Sequence, residues 1–315
     1  MNINQLIYLK ELVYQGSFTL AAKKLDISQP ALSAQIRKLE EETGLILIDR
    51  NKKPVQLTRD GEVYYERVNE ILERIEELKD LPFQISDEIK GQLSLGIIPT
   101  LAPYFVSLIM DELGSRYPLL EIVIEELITE DIIQRLKTGR LDAGIISTPV
   151  EVRNLYQQPL FYEKFFLYMS DRHPLYKESE ISLEDIDMDE VWYLKEGNCF
   201  TNQVDAICRF AGKTTGNPNL VYYSNSIESL RHIVESKHGM TFIPELATIQ
   251  VPSEMEDMIK PIAGVQPVRE ISLVAASHAP GRRLLDAFTG VALSQLPAHM
   301  KNKPDQWVVD TDIKL

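Results

Sequence analysis

The chain has 315 residues, 44% apolar and 25% charged, the proportions of an ordinary globular protein of two or three domains. It contains no apolar run long enough to cross a bilayer and no leader-like start, so neither a membrane protein nor a secreted solute-binding protein is expected. The formal net charge is -14, yet residues 1–60 hold nine Lys and Arg against seven Asp and Glu, about +2, leaving 24 against 40 in the remainder, so nucleic acid is expected to meet only the first module.

Leu6, Leu9, Leu12 and Val13 mark a first amphipathic helix, closed by Gly16 and Ser17. A short second helix follows over Leu20–Leu25, with Ala21 and Ala22 allowing close packing, and Asp26, Ile27 and Ser28 make the turn. Ser28 is a good N-cap and Pro30 suits a first turn, so a third helix begins there. Its Leu32, Ile36 and Leu39 fall on one buried face. The opposite face shows Pro30, Ser33, Ala34, Arg37 and Lys38, small near the start and basic farther on.

This layout predicts a helix-turn-helix whose third helix enters the major groove. Gln29 and Ser33 are placed to bond base edges or phosphates, beside Pro30, Arg37 and Lys38. Residues 49–58 read as a two-stranded wing carrying Arg50, Lys52 and Lys53 to the phosphates. The alternative is a three-helix domain with a solvated basic loop.

The string Ala21-Ala22, Ser28-Gln29-Pro30-Ala31-Leu32-Ser33, Ile36-Arg37-Lys38-Leu39-Glu40, Gly44, Asp49-Arg50, Leu57-Thr58 and Gly61 resembles the N-terminal signature of LysR-type transcriptional regulators, without a gap. The resemblance implies double-stranded promoter DNA as ligand and RNA polymerase as a partner.

Thr58-Arg59-Asp60 is expected to cap a long helix from about Gly61 to Leu81. Tyr64, Val68, Ile71, Ile75 and Leu78 recur at heptad spacing, which predicts pairing with a second copy. Pro82 is expected to end the helix, and residues 82–91 to form a hinge, so that 1–60 is the DNA-binding domain and 61–91 the linker.

From Gln92 onward, strand patterns alternate with helical ones. Strands are expected at 93–98, 120–126, 142–147, 163–169, 191–194, 220–223, 240–243 and 271–275, with helices at 102–116, 130–138, 203–210, 226–236 and 281–295. The fold class is therefore α/β with a parallel sheet. The family resemblance implies a winged helix-turn-helix and linker helix followed by a two-lobed, periplasmic-binding-protein-like effector domain over 92–300. Lobe I would be 92–162 plus 268–300, and lobe II 163–267. The tail, 301–315, is polar and expected to be mobile.

Both cysteines, Cys199 and Cys208, lie in one stretch within lobe II. Their Cys-x8-Cys spacing suits neither a zinc site nor a Cys-x-x-Cys redox motif. Gly197 and Asn198 place Cys199 at a loop-to-helix junction, where unpaired N–H groups lower a thiol pKa. Thr201 or Asn202 would cap a helix over 203–210 with Cys208 near its end. Thiols so placed stand on the order of 10 Å apart, while a disulfide needs Cα atoms within about 7 Å. Two inert buried thiols and a switch that refolds both remain open on these grounds.

Leu194-Lys195-Glu196-Gly197-Asn198-Cys199, Gln203, Cys208 and Ala211-Gly212, with Ile98-Pro99-Thr100 and Ser229-Leu230-Arg231, resemble the peroxide-sensing members of the LysR family. The resemblance implies that Cys199 is oxidised by hydrogen peroxide and Cys208 resolves it to a reversible disulfide, later reduced by a cellular thiol reductant. It implies a homotetramer, a dimer of dimers, in the cytoplasm. Thr100 and Thr129 would hold the peroxide and Arg231 would supply positive charge, with Lys195 and Arg209 as lesser candidates. Asn198 and Asn202 stand where relatives carry His and Asp, which removes two titratable groups but no hydrogen bonding. His173, His232, His238, His278 and His299 lack metal spacing and are read as surface or loop residues, so no metal and no cofactor is expected. Rival readings are a family member sensing a small metabolite between the lobes, and a thiol peroxidase, against which the DNA-binding module counts.

Overall fold

A computed structural model of the chain describes residues 1–84, 88–152, 155–194, 199–212, 224–276 and 282–314. The N-terminal module follows its capping residues. Helix α1 (Ile3–Gln15) starts at Asn2, whose side chain accepts from Gln5 N–H while Gln5 accepts from Asn2 N–H, and it ends at Gly16 with φ 60°. Ser17 caps α2 (Phe18–Lys24), and Ser28 caps α3 (Gln29–Thr43), with Pro30 in its first turn. Strands β1 (Ile48–Asp49) and β2 (Gln56–Leu57) pair antiparallel as the wing.

Helix α4 (Arg59–Gln84) begins where the Thr58 hydroxyl accepts from Gly61 N–H at 2.9 Å. A Cβ at Gly61 would collide with the Leu47 carbonyl, so glycine is required for this close approach. The α4 helix runs beyond Pro82, which the sequence reading placed at its end. The heptad stripe also divides. Val68 is buried with Tyr65 and Leu72 against Leu9, Leu12, Leu32, Ile36 and Leu39 of the module, and Ile75 packs on that cluster. Ile71 and Leu78 remain exposed along the flank of that stripe, available to a second copy.

The larger unit comprises β3 (Lys90–Ile97), α5 (Ala102–Arg116), β4 (Leu119–Glu126), α6 (Thr129–Lys137), β5 (Ala143–Thr148), β6 (Val150–Glu151), β7 (Leu155–Met169), α7 (Cys199–Phe210), α8 (Ile227–Ser236), β8 (Met240–Pro244), α9 (Glu245–Thr248), β9 (Ile259–Pro261), β10 (Val268–Ala276), α10 (Arg282–Gln295) and β11 (Ile313–Lys314). The main sheet has the order β4-β3-β5-β10-β7-β8, with β9 also on β7. Among the described strands of this sheet only β3 with β4 and β5 is parallel; β10 and β7 run antiparallel to their neighbours, which corrects the expectation of a parallel sheet. A chain that leaves one lobe on β7 and returns on β10 must reverse direction, and that reversal makes the sheet mixed. Residues 155–164 of β7 pair with β10, and 165–169 pair with β8, so this one strand passes between the two halves.

Val191 makes an isolated bridge to Met240 in place of the expected strand over 191–194, and the strand expected over 220–223 lies outside the described residues. The tail is not loose. Val309 and Thr311 are buried, β11 pairs parallel with β6, and Val268 bridges to Val308. Apolar residues spaced through a polar segment, Trp307, Val309 and Ile313, dock it.

The module also touches the larger unit. Tyr65 donates its hydroxyl to the Thr138 carbonyl at 3.2 Å, and Arg140 lies 4.6 Å from the Tyr14 ring while donating to the Tyr14 carbonyl. Among the described residues no helix is long and apolar enough to cross a membrane.

Candidate functional site

Helix α7 begins at Cys199 itself, two residues before Thr201 and three before Asn202, the caps expected from the sequence. Cys199 is thereby set in the first turn, and the Phe200 N–H points at its sulfur, as does the Ser147 N–H at the end of β5. The Thr129 hydroxyl, at the start of α6, is buried without an oxygen or nitrogen partner and faces the same sulfur. Helix α6 reaches this position because Gly144 of β5 has no side chain to hold Ile132 away.

Among the described residues, the cation whose charge favours the Cys199 thiolate is Arg269 of β10. Its guanidinium is fully buried, lies 5.3 Å from the Phe200 ring, and donates from Nη1 to Thr100 Oγ1 at 2.9 Å and from Nη2 to the Thr100 carbonyl at 3.2 Å. Because the Thr100 oxygen accepts from arginine, its own O–H is left to donate. Among the described residues the site therefore presents a thiol, two threonine hydroxyls and one buried cation.

Burial dominates the electrostatics of Cys199 and pushes its thiol up, opposed by Thr129, by the Arg269 charge and by the two backbone N–H groups. This reverses the sequence expectation, because a helix N-terminus does not outweigh complete desolvation. A raised thiol is mostly protonated at neutral pH, so its alkylation rate is expected to climb about tenfold per unit across pH 6 to 8. A flat profile, measured with iodoacetamide on the reduced protein, would show a thiol already ionised.

Arg231 does not reach Cys199. It pairs with Glu228 at 2.9 Å and Glu235 at 3.8 Å on its own helix and lies 5.0 Å from the Tyr168 ring. Glu228 in turn accepts from the Tyr104 hydroxyl at 2.6 Å, so this group ties α8 to α5. Arg209 is exposed at the far end of α7, and Lys195, like Asn198, lies outside the described residues.

Cys208 is buried near Tyr193. Nine residues of helix separate the two cysteines by roughly 13 Å along the axis and about half a turn around it. Neither is in a disulfide, and bridging them requires α7 to unwind.

The tail holds α7 from outside. Asn202 donates to the Thr311 carbonyl at 3.0 Å, Gln203 donates to the Val309 carbonyl at 2.9 Å, and Phe210 meets Trp307 with ring centroids 4.9 Å apart. The amide at position 202 thus works as a strap contact. Of the histidines, His173 lies in a loop as expected, though buried there, accepting at Nδ1 from Leu175 N–H and facing Glu190 across 2.7 Å; His278 lies outside the described residues.

On the DNA-binding module, Gln29, Pro30, Arg37 and Lys38 are exposed on α3, Ser33 is half-buried, and Lys52 and Lys53 are exposed at the wing tip. Arg50 is partly engaged within the chain, 2.9 Å from Glu40 and 3.4 Å from Ser33, and it ties the wing to α3. Replacing Lys52 and Lys53 by alanine is expected to reduce the salt slope of DNA binding by about 2, one per lost phosphate contact. A titration of affinity against salt would read this, and an unchanged slope would remove the wing lysines from the interface.

Residues 3–62 match the bacterial regulatory helix-turn-helix model of the lysR family, and residues 86–297 match the LysR substrate binding domain. A hydrogen peroxide-inducible genes activator from Haemophilus influenzae is 34% identical over 93% of this chain and 95% of that protein. The structure of a cysteine-to-aspartate mutant of full-length OxyR from Pseudomonas aeruginosa superposes with a TM-score of 0.80 at 26% identity, covering 97% of this chain and 98% of that one. A cysteine mutant of OxyR from Corynebacterium glutamicum with hydrogen peroxide bound gives 0.60 at 25% identity, covering 93% and 92%.

Proposed function

The chain belongs to the LysR family of bacterial transcriptional regulators, and from that premise we propose how it senses hydrogen peroxide. It is a redox-sensing, DNA-binding regulator, and the thiol peroxidase reading falls with the family assignment. The observation that carries the peroxide reading is the buried thiol of Cys199, met by the Thr129 hydroxyl and favoured in its ionised form by the buried Arg269 charge, with the second thiol on the same helix.

In this reading Thr100 and Thr129 hold the peroxide. The Cys199 thiolate attacks one peroxide oxygen and the O–O bond breaks. The departing oxygen leaves as hydroxide, stabilised by the hydroxyl donors and the nearby positive charge. Cys199 becomes a sulfenic acid, the Cys208 thiol displaces water from it, and the disulfide forms. Because the thiols start on opposite sides of α7, the helix must unwind, and the two halves of the larger unit shift with it. The shift changes the spacing of paired DNA-binding modules, set by α4 with its exposed Ile71 and Leu78, in a dimer of dimers. Gln29, Pro30, Ser33, Arg37 and Lys38 meet the promoter, with the wing residues Arg50, Lys52 and Lys53 on phosphates. RNA polymerase responds to the altered complex, a cellular thiol reductant resets the disulfide, and the whole cycle runs in the cytoplasm.

Non-reducing peptide mapping after equimolar peroxide, with parallel DNA footprinting, tests the cycle. A fast Cys199–Cys208 disulfide with a shifted footprint is expected in the wild type, and neither in Cys199→Ser. A footprint that shifts fully in Cys199→Ser, or a saturable metabolite that shifts it without oxidation, would overturn the reading in favour of ligand sensing.

A further inference from the structure

Glu163 and Arg269 face each other as register partners on β7 and β10, next to the point where β7 exchanges one neighbour for another. Neither side chain has any solvent exposure. Glu163 Oε1 accepts from Arg269 Nε at 2.8 Å and lies 2.7 Å from Nη2, while Oε2 accepts from the Leu246 N–H at 3.0 Å. A guanidinium at this depth requires a counter-charge, and its planar fork takes the orientation that its carboxylate imposes. The same guanidinium makes the two hydrogen bonds to Thr100 and lies 5.3 Å from the ring of Phe200, the neighbour of Cys199, so that its charge favours the thiolate.

We propose that Glu163 is a positioning residue of the thiol site: it aims the Arg269 guanidinium at Thr100 and Cys199 and, by neutralising part of that charge, sets the reactivity of the thiol. Glu163 has this role only if Cys199 is the reactive thiol, as proposed above. The carboxylate works in two directions. It holds the cation in place, and it withholds some of the positive field that would otherwise favour the thiolate. Other titratable groups around the pair are Glu245 of α9, itself bonded to His299 at 2.7 Å, Tyr104 of α5 and Cys199 of α7. Tyr162 and Glu270, one position along on each strand, bond each other at 2.9 Å on the opposite face of the sheet.

The test reads the thiol itself, in a Cys208→Ser background where no disulfide forms. Glu163→Gln keeps the shape and an acceptor but removes the charge. Alkylation of Cys199 by iodoacetamide at neutral pH is expected to accelerate about threefold to tenfold, since the thiolate fraction rises tenfold for each unit by which a thiol pKa falls. Arg269→Met is expected to slow the same reaction. In the double variant the acceleration should vanish, because Glu163 acts through Arg269. Unchanged or slower alkylation in folded Glu163→Gln would overturn the proposal, since a merely structural carboxylate has no reason to accelerate it. If Glu163→Gln does not fold, the double variant, which leaves no buried charge unpaired, is compared with Arg269→Met alone. Equal rates support the proposal, and a difference between them overturns it. Treating the parent protein with peroxide separates the two readings. If alkylation behaves as expected while peroxide leaves Cys199 untouched, the positioning role stands and the peroxide reading fails.

Discussion

Replacing Arg269 with methionine is expected to slow oxidation of Cys199 by peroxide about a hundredfold or more. Two losses combine. The thiol loses the buried cation that favours its ionised form, and Thr100 loses the donor that leaves its hydroxyl free to donate. Removal of one preorganised donor or charge from a water-excluded site costs about a hundredfold to a thousandfold in rate. The fold should survive. Burial already pushes the Glu163 carboxyl up, and without its arginine it takes a proton and stays neutral. Arg269→Lys retains charge without the fork and should fall between methionine and the parent. Arg231→Met is the contrast, because Arg231 is paired on its own helix and should leave the rate close to that of the parent. Rapid-quench measurement of sulfenic acid and disulfide formation decides the matter. A larger effect at Arg231 than at Arg269 would return the role to the residue that the sequence alone suggested.

Deleting residues 306–315 is expected to lower the thermal stability of the reduced protein and to make the disulfide form more readily. The segment contributes buried Val309 and Ile313 and half-buried Trp307, worth about 2 kcal/mol for each fully buried side chain. Its carbonyls also accept from Asn202 and Gln203, at about 1 kcal/mol per hydrogen bond. Together these amount to about 7 kcal/mol, a large part of the stability of a domain. The contacts hold α7 as a continuous helix, and that helix keeps Cys199 and Cys208 apart. A strap that must be released before the thiols meet favours the reduced state. Thermal melts and a thiol–disulfide titration of the truncated and full chains would measure both effects. Equal melting temperatures with an unchanged titration midpoint would make the docked tail incidental to the switch.

The DNA-binding module was legible almost residue by residue. Its first helix ends at Gly16, its third starts at Ser28 with Pro30 in the first turn, and Leu32, Ile36 and Leu39 are buried on one side of α3, all signals carried within a few residues of each other. The strands β3, β4, β5, β8 and β10 were visible from their apolar runs, but not their directions, because direction depends on where the chain returns. Pro82 looked like a stop, yet α4 continues two residues beyond it.

At the thiol site the errors share one cause. Arg231 drew attention as a basic residue in a familiar string, although Glu228 and Glu235, three and four residues away on a helix, were visible as its local partners. Arg269 passed unnoticed because it precedes the apolar core of its strand, and its partner Glu163 lies 106 residues earlier. A signal was available, since each charge stands at the edge of an apolar strand pattern, but only the register of β7 with β10 brings them together.

The amino-acid sequence by itself determined the helix-turn-helix, the amphipathic stripe of α4, the two-cysteine segment and the threonines at the ends of β3 and the start of α6. Those features rest on caps, turns and short-range periodicity, which act between near neighbours in the chain. The tertiary structure alone decided which arginine faces Cys199, that burial outweighs the helix terminus in setting its thiol, and that the tail is a strap on α7. Burial, charge pairing and docking are sums over residues that are distant in sequence, so they acquire values only when the sheet has brought those residues into contact.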